Sequence, residues 1–267
     1  MTLRASEWII VSYFVYLAAA ALRARLPIGR RAAIVAEAAA AIAIILWVAG
    51  FAAGAGLVVR DWAPAAYLLA MYWMPARLVT SSNVSFEAWL ASLDRRWLPN
   101  GGTMLADRLP RVALEFIELS YLLCYPLIPI GLGILYAAGA RAEVDRYWTA
   151  VLLAGALSYG PLPRLATHPP RLGHTPALPH VSKVRALNLV VLHHGSVQWN
   201  TFPSGHVATA VAVALAVTAR EPVAGAALGI IAASIAAVSL IGRYHYLADI
   251  VAGVAVALVG FLVSRFV

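Results

Sequence analysis

Charge is scarce in this sequence. Asp, Glu, Lys and Arg make up 12% of its 267 residues, where a soluble domain carries about 25%. That deficit excludes a chain built mainly of water-exposed globular domains. Cysteine is scarcer still: Cys124 stands alone in an apolar run, which excludes an internal disulfide framework and leaves the redox compartment open. Lysine occurs once, at Lys183, so the net charge of +8 is carried by arginine. No polar domain accompanies that charge. Nucleic acid is therefore excluded as a partner, and anionic lipid headgroups or phosphate fit instead. Internal repeats are missing too, and the only biased composition is Ala-rich helix filler.

What the chain has in quantity is apolar residue, 62% of the total, in runs near the roughly 20 residues that cross a bilayer. Candidate spans cover 7–22, 33–58, 62–79, 112–138, 145–160, 203–219, 223–242 and 246–265. The third is short and broken by Pro75, and Gly50, Gly54 and Gly56 loosen the end of the second. The expected fold is all-α, a polytopic transmembrane helix bundle of six to eight spans. The first run follows Arg4 and ends in small residues, as a signal peptide does, but with many later spans an uncleaved helix is the simpler reading. Residues 86–98 place Phe86, Trp89, Leu90, Leu93 and Trp97 at helical spacing. That pattern suits an amphipathic helix with tryptophan at headgroup depth, or a helix packed on the bundle from the aqueous side.

The loop from Pro161 to Thr201 holds six prolines and five of the seven histidines. Proline excludes a regular helix there, and loops of this length in a compact domain are usually functional. His206 and His245 stand just beyond it. Asn200-Thr201-Phe202-Pro203-Ser204-Gly205-His206 reads as a helix start, whose free N–H groups and positive dipole end bind anions. Gly205 gives a phosphoryl group close access to the backbone, and His206, in the first turn, is placed to donate a proton. In Gly242-Arg243-Tyr244-His245-Tyr246-Leu247-Ala248-Asp249, His245 and Asp249 are four apart, on one helix face. A carboxylate that fixes the imidazole tautomer makes it a better nucleophile. Asp249 also lies in an apolar run, where an unpaired carboxylate costs several kcal/mol. His245 is its nearest partner.

These two clusters resemble the type 2 phosphatidic acid phosphatase superfamily, which also includes the vanadium haloperoxidases. Pro203-Ser204-Gly205-His206 matches the family's second motif letter for letter, and His245 and Asp249 match the third. The resemblance covers roughly residues 158–255. It implies a six-helix catalytic core, here residues 61–267, with extra N-terminal membrane helices over 1–60. It also implies a phosphohistidine mechanism in which His245 attacks phosphorus, Asp249 orients it and His206 protonates the leaving oxygen. Arginines, Ser204 and the Gly205 backbone would hold the phosphoryl oxygens. No cofactor and no metal are expected, and the partners are a lipid phosphate substrate and membrane lipids.

The chain departs from the family pattern twice. The third motif's arginine position is Ser239, and the nearest arginine is Arg243; if the helix continues, Arg243 lies on the same face one turn along. The first motif is degraded, and Arg164 and Arg171, seven apart, are the pair expected to bind phosphate. Lys183 and Arg185 read as a solvated basic patch, Glu115 and Glu118 as partners of Arg108 or Arg111. His193-His194, His174 and His180 lack an acidic or cysteine partner for a metal. The sequence around His245 is similar to the branch with inositol phosphorylceramide synthases, so a phosphotransferase that uses an alcohol stands beside the phosphatase. Asn188, Gln198 and Asn200 would serve as hydroxyl partners in that case. A transporter or scaffold with an inactive site is a third reading, disfavoured by the intact His206, His245 and Asp249. The resemblance places the site on the extracytoplasmic side of a bacterial inner membrane, whereas the distribution of arginines points weakly to the cytoplasm.

Overall fold

The computed structural model describes residues 2–98, 108–172 and 183–267; His174 and His180 lie outside the described residues. The described residues form an α-helical bundle without named strands. Its helices are α1 (Ala5–Arg23), α2 (Ile28–Ala49), α3 (Gly54–Trp62), α4 (Pro64–Trp73), α5 (Val84–Trp97), α6 (Arg111–Leu122) and α7 (Cys124–Ala137). They are followed by α8 (Val144–Tyr159), α9 (Lys183–Gly195), α10 (Gly205–Thr218), α11 (Pro222–Ile241) and α12 (Leu247–Ser264). Helix α9 lies within the 161–201 stretch expected to hold no regular helix, because all six prolines of that stretch precede Lys183.

The centre is α8. It buries Tyr147, Trp148, Val151, Leu152, Ala154 and Tyr159 and packs against α1, α4, α10 and α12. One apolar core runs from Ile10 and Phe14 in α1 through Trp148 to Val207 and Val213 in α10. Small residues let the helices come close. A Cβ on Gly253 of α12 would lie 2.8 Å from the Ser204 carbonyl oxygen, so only glycine lets α12 pass the start of α10 at this distance.

Among the described residues, four helices, α1, α2, α11 and α12, are long and apolar enough to cross a membrane by length and composition, or five if α6 and α7 form one span. The other apolar runs form shorter or bent helices, for physical reasons. The run at 112–138 is bent by 70° between α6 and α7. Pro126 explains the bend, because its ring would clash with the Leu122 carbonyl four residues back. The runs at 145–160 and 203–219 do form helices, α8 and α10, but of 16 and 14 residues. At 1.5 Å per residue these are about 24 and 21 Å long, short of a hydrocarbon core roughly 30 Å thick. The second run stops at Ala49, and α3 starts afresh at Gly54, whose φ of 57° suits glycine. The third ends at Trp73, where a 3-10 turn, Met74–Leu78, accommodates Pro75.

The end of the bundle where α1 and α8 begin is held by charge. Asp61, 1% exposed, pairs with Arg4 and Arg141 at 2.7 Å each and accepts a hydrogen bond from the Tyr136 hydroxyl. Glu7 pairs with Arg60 at 2.6 Å. Asp145, in the first turn of α8, accepts the Ala5 and Ser6 N–H groups and so caps α1. Buried charges of this kind are strongly destabilising when one partner is removed. Asp61→Asn should therefore cost about 3 kcal/mol or more, read as a lowered thermal unfolding midpoint in detergent. An unchanged midpoint would show that the cluster is screened like a surface pair.

Candidate active site

Four segments meet at the other end of the bundle: the end of α8, the loop through Thr167 and Arg171, residues 196–206 leading into α10, and the turn between α11 and α12. Thr167 and Asn200 form an antiparallel bridge, with the Asn200 N–H donating to the Thr167 carbonyl at 2.8 Å. The Phe202–Pro203 bond is cis. Ser204 precedes the first turn of α10, and Tyr246 precedes that of α12.

Asp249 is fully buried. Its Oδ2 accepts the Asn200 side-chain N–H at 2.8 Å and the Tyr246 backbone N–H at 2.9 Å. Its carbonyl accepts the Ser204 N–H at 2.9 Å. His245, 5% exposed, places Nδ1 3.4 Å from Asp249 Oδ2, within ion-pair range but not aligned as a hydrogen bond. The His245 and His206 ring centroids are 6.0 Å apart. Both histidines line a cavity of about 30 Å³ together with Arg171, Asn200, Tyr121 and Tyr244. The His206 ring leans on Tyr121 at 5.0 Å, and Tyr121 stacks on Tyr244 at 4.4 Å.

Arg171 sits over the Tyr244 ring at 5.7 Å. Among the described residues its guanidinium has no carboxylate partner, and burial lowers its pKa. A desolvated cation that, among the described residues, has no counter-charge and faces two histidines has the chemistry to hold an anion.

The remaining expected ligands are placed elsewhere. Arg164 is exposed and lines a different cavity, between α1 and α8. The chain turns at 166–170, so a seven-residue spacing does not bring it beside Arg171. Arg243 does not lie one turn along from Ser239 on α11, because that helix ends at Ile241 and Arg243 adopts a φ of 58°. Its carbonyl accepts the Arg171 N–H at 3.0 Å, and its guanidinium donates to the Pro170 carbonyl at 2.9 Å. Arg243 thus braces the turn that carries Arg171. The Gly205 N–H donates to Thr201 Oγ1 at 3.3 Å, and a Cβ there would strike the Tyr159 ring at 2.2 Å. Glycine is thus required at that position by packing against Tyr159. The Ser204 N–H is taken by Asp249, and its Oγ is buried without a partner.

Arg185 is not a solvated patch. It is buried, pairs with Glu118 at 2.8 Å and donates to the Gly242 carbonyl. Asn188 and the Tyr244 hydroxyl also donate to Glu118, at 2.6 and 2.8 Å. This buried network fixes α6, α9 and the His245 turn together, so Asn188 is not available to an alcohol and Glu118 does not pair with Arg108 or Arg111. Gln198 is likewise engaged, donating to the Leu192 and His193 carbonyls.

Helix α5 closes one side. Phe86 packs edge-on against Phe202 at 5.1 Å, and Glu87 accepts the His168 N–H. Asp94 accepts the Leu247 N–H at 3.0 Å, at the start of the helix that carries Asp249. Leu90 is buried while Trp89 and Trp97 are exposed.

A family profile described as the PAP2 superfamily matches residues 88–263, well over half of the chain, and the chain belongs to that superfamily. No curated protein and no solved structure matches it. At superfamily level the protein is thus a phosphatase-type lipid phosphohydrolase or related phosphotransferase, and its apolar helices make it an integral membrane protein. The match opens within α5 and closes within α12, and α1 to α4 lie outside it.

Burial raises the Asp94 carboxyl from 3.8 to about 6, with Asp249 adding repulsion and the Leu247 N–H and Arg243 opposing it. Between those values the unfolded chain has released this proton while the folded chain keeps it. Stability therefore falls as pH rises from about 4 to about 6. Subtracting the unfolding midpoints of Asp94→Asn from those of the wild type across that range should leave this slope. A flat difference would contradict the assignment.

Proposed function

We propose that the protein hydrolyses a phosphomonoester or pyrophosphate of a lipid through a phosphohistidine intermediate, with no metal required. The observation that supports this most directly is Arg171, which among the described residues has no carboxylate partner, sharing one small cavity with His206 and His245.

Nδ1 of His245 faces Asp249, so Nε2 is the nitrogen left to attack phosphorus. As the N–P bond forms, the P–O bond to the lipid breaks, and His206 gives its proton to the departing oxygen. Water then attacks phosphorus with His206 as base. The N–P bond breaks, and phosphate leaves with His245 restored. Asp249 balances the charge that develops on the imidazole, while Arg171 neutralises the equatorial oxygens.

A second reading has an alcohol in place of that water. It is motivated by Arg243-Tyr244-His245-Tyr246 with Asp249 three residues on, which is similar to the phosphotransferase branch. Product analysis with a phospholipid donor separates the two: free phosphate supports hydrolysis, and a new headgroup-bearing lipid formed only with added alcohol supports transfer.

His245→Ala should abolish turnover and the acid-labile phosphoenzyme trapped from labelled substrate; equal labelling of wild type and variant would remove His245 as nucleophile. Arg171→Lys keeps the charge but loses the two-pronged donor, and should lower kcat/KM by about tenfold or more. Vanadate should inhibit competitively and a chelator should leave the rate unchanged, both measured in the same turnover assay. Activity lost on chelation and restored by a divalent ion would overturn the metal-independent scheme.

A further inference from the structure

A second cavity lies away from the histidines. It lies between α1 and α8, has a volume of about 770 Å³, and is lined by residues including Trp8, Ser12, Tyr16, Leu153, Ala156 and Arg164. It shares no lining residue with the histidine cavity. One of its walls, α1, lies outside the region that matches the superfamily.

Its shape follows from the helices. Asp145 caps the start of α1 from the start of α8, so the two helices run in the same direction from one end of the bundle. The groove between them begins near Trp8 and ends where the Tyr16 hydroxyl donates to the Gly160 carbonyl at 2.7 Å. Eight residues of helix make that about 12 Å, close to half of a hydrocarbon core roughly 30 Å thick. The walls are mainly apolar, and the one ionic residue among the lining side chains is Arg164, beyond Gly160 at the end nearest the active site. Arg164 is exposed and, among the described residues, has no ion-pair partner.

An apolar trough of one leaflet's depth with an unpaired cation at its end has the chemistry of a lipid anion: hydrocarbon along the helices, charge at the guanidinium. We propose that the α1–α8 groove is a binding site for an anionic membrane lipid distinct from the reacting molecule. Its chain lies between Trp8 and Tyr16, and its phosphate is held by Arg164. The separation of the two cavities assigns the groove to a non-reacting lipid rather than to the tail of the substrate. Such a lipid would support the seam between the N-terminal helix and the central helix of the catalytic bundle.

The test uses the full-length protein in detergent, equilibrated with mixed micelles of equal phosphatidylglycerol and phosphatidylcholine, with retained lipid counted by native mass spectrometry. Wild type should retain phosphatidylglycerol with about a fivefold preference, the effect of one arginine near a headgroup. Arg164→Gln should bring the two lipids near parity. Ala156→Trp, which fills the trough from α8, should retain neither, and Ser12→Phe should do the same from α1 should the first variant fail to fold. His245→Ala should retain lipid as the wild type does. An undiminished preference in Arg164→Gln, or wild-type retention in both filled variants, would overturn the proposal. Retention lost in His245→Ala would overturn it too, by making the bound molecule the reacting one. Retention is read without turnover, so its failure leaves the histidine chemistry untouched.

Discussion

Asp249 is the constraint around which this end of the bundle is arranged. A carboxylate with no exposure is costly unless donors compensate it. Here Oδ2 takes the Asn200 side-chain N–H from the loop before α10 and the Tyr246 backbone N–H from the α12 cap, with His245 within ion-pair range, while Oδ1 is buried with no donor among the described residues. The same residue's carbonyl takes the Ser204 N–H, so the starts of α10 and α12 are tied through one amino acid. The close approach that Gly253 permits is the packing counterpart of that tie. His206 and His245 face one cavity because the helices that bear or follow them are joined at Asp249.

A second layer keeps the cavity in shape. Glu118 accepts from Arg185, Asn188 and Tyr244, and Tyr244 carries Tyr121, on which the His206 ring leans. The main-chain link from the Arg171 N–H to the Arg243 carbonyl and the bond from the Arg243 guanidinium to the Pro170 carbonyl hold Arg171 over Tyr244. Polar groups satisfied in this way specify one arrangement, and losing a member leaves a buried group unpaired.

Much of this was legible locally. Ser204 ahead of the apolar helix states its geometry in the sequence because a helix start is settled within one turn. The amphipathic face of α5 was readable for the same reason. His245, by contrast, reaches within 3.4 Å of Asp249 from a position before the Tyr246 cap rather than from the same helix face. Arg243 was misplaced because helical periodicity was extended past Ile241, where the chain turns through a left-handed residue. Arg164 was paired with Arg171 by interval alone, across a stretch with no helix to carry that interval. The partnership of Glu118 with Arg185 spans 67 residues, and nothing local announces it. Asn200 was noted only as a hydroxyl partner, although its place immediately before the Thr201-to-His206 run was the available signal. Hydropathy reads composition, so the bend at Pro126 and the lengths of α8 and α10 were not legible in it.

The smallness of the histidine cavity has an energetic meaning. About 30 Å³ accommodates little more than a water molecule, far less than a phosphate ester. For a substrate of that size to enter, the walls around Arg171 or residues 198–201 would have to part, so binding would be coupled to an open form. Apparent affinity is then the intrinsic affinity scaled by the fraction of molecules that are open. Changes remote from the histidines that loosen those walls would strengthen binding without adding a single contact to phosphate.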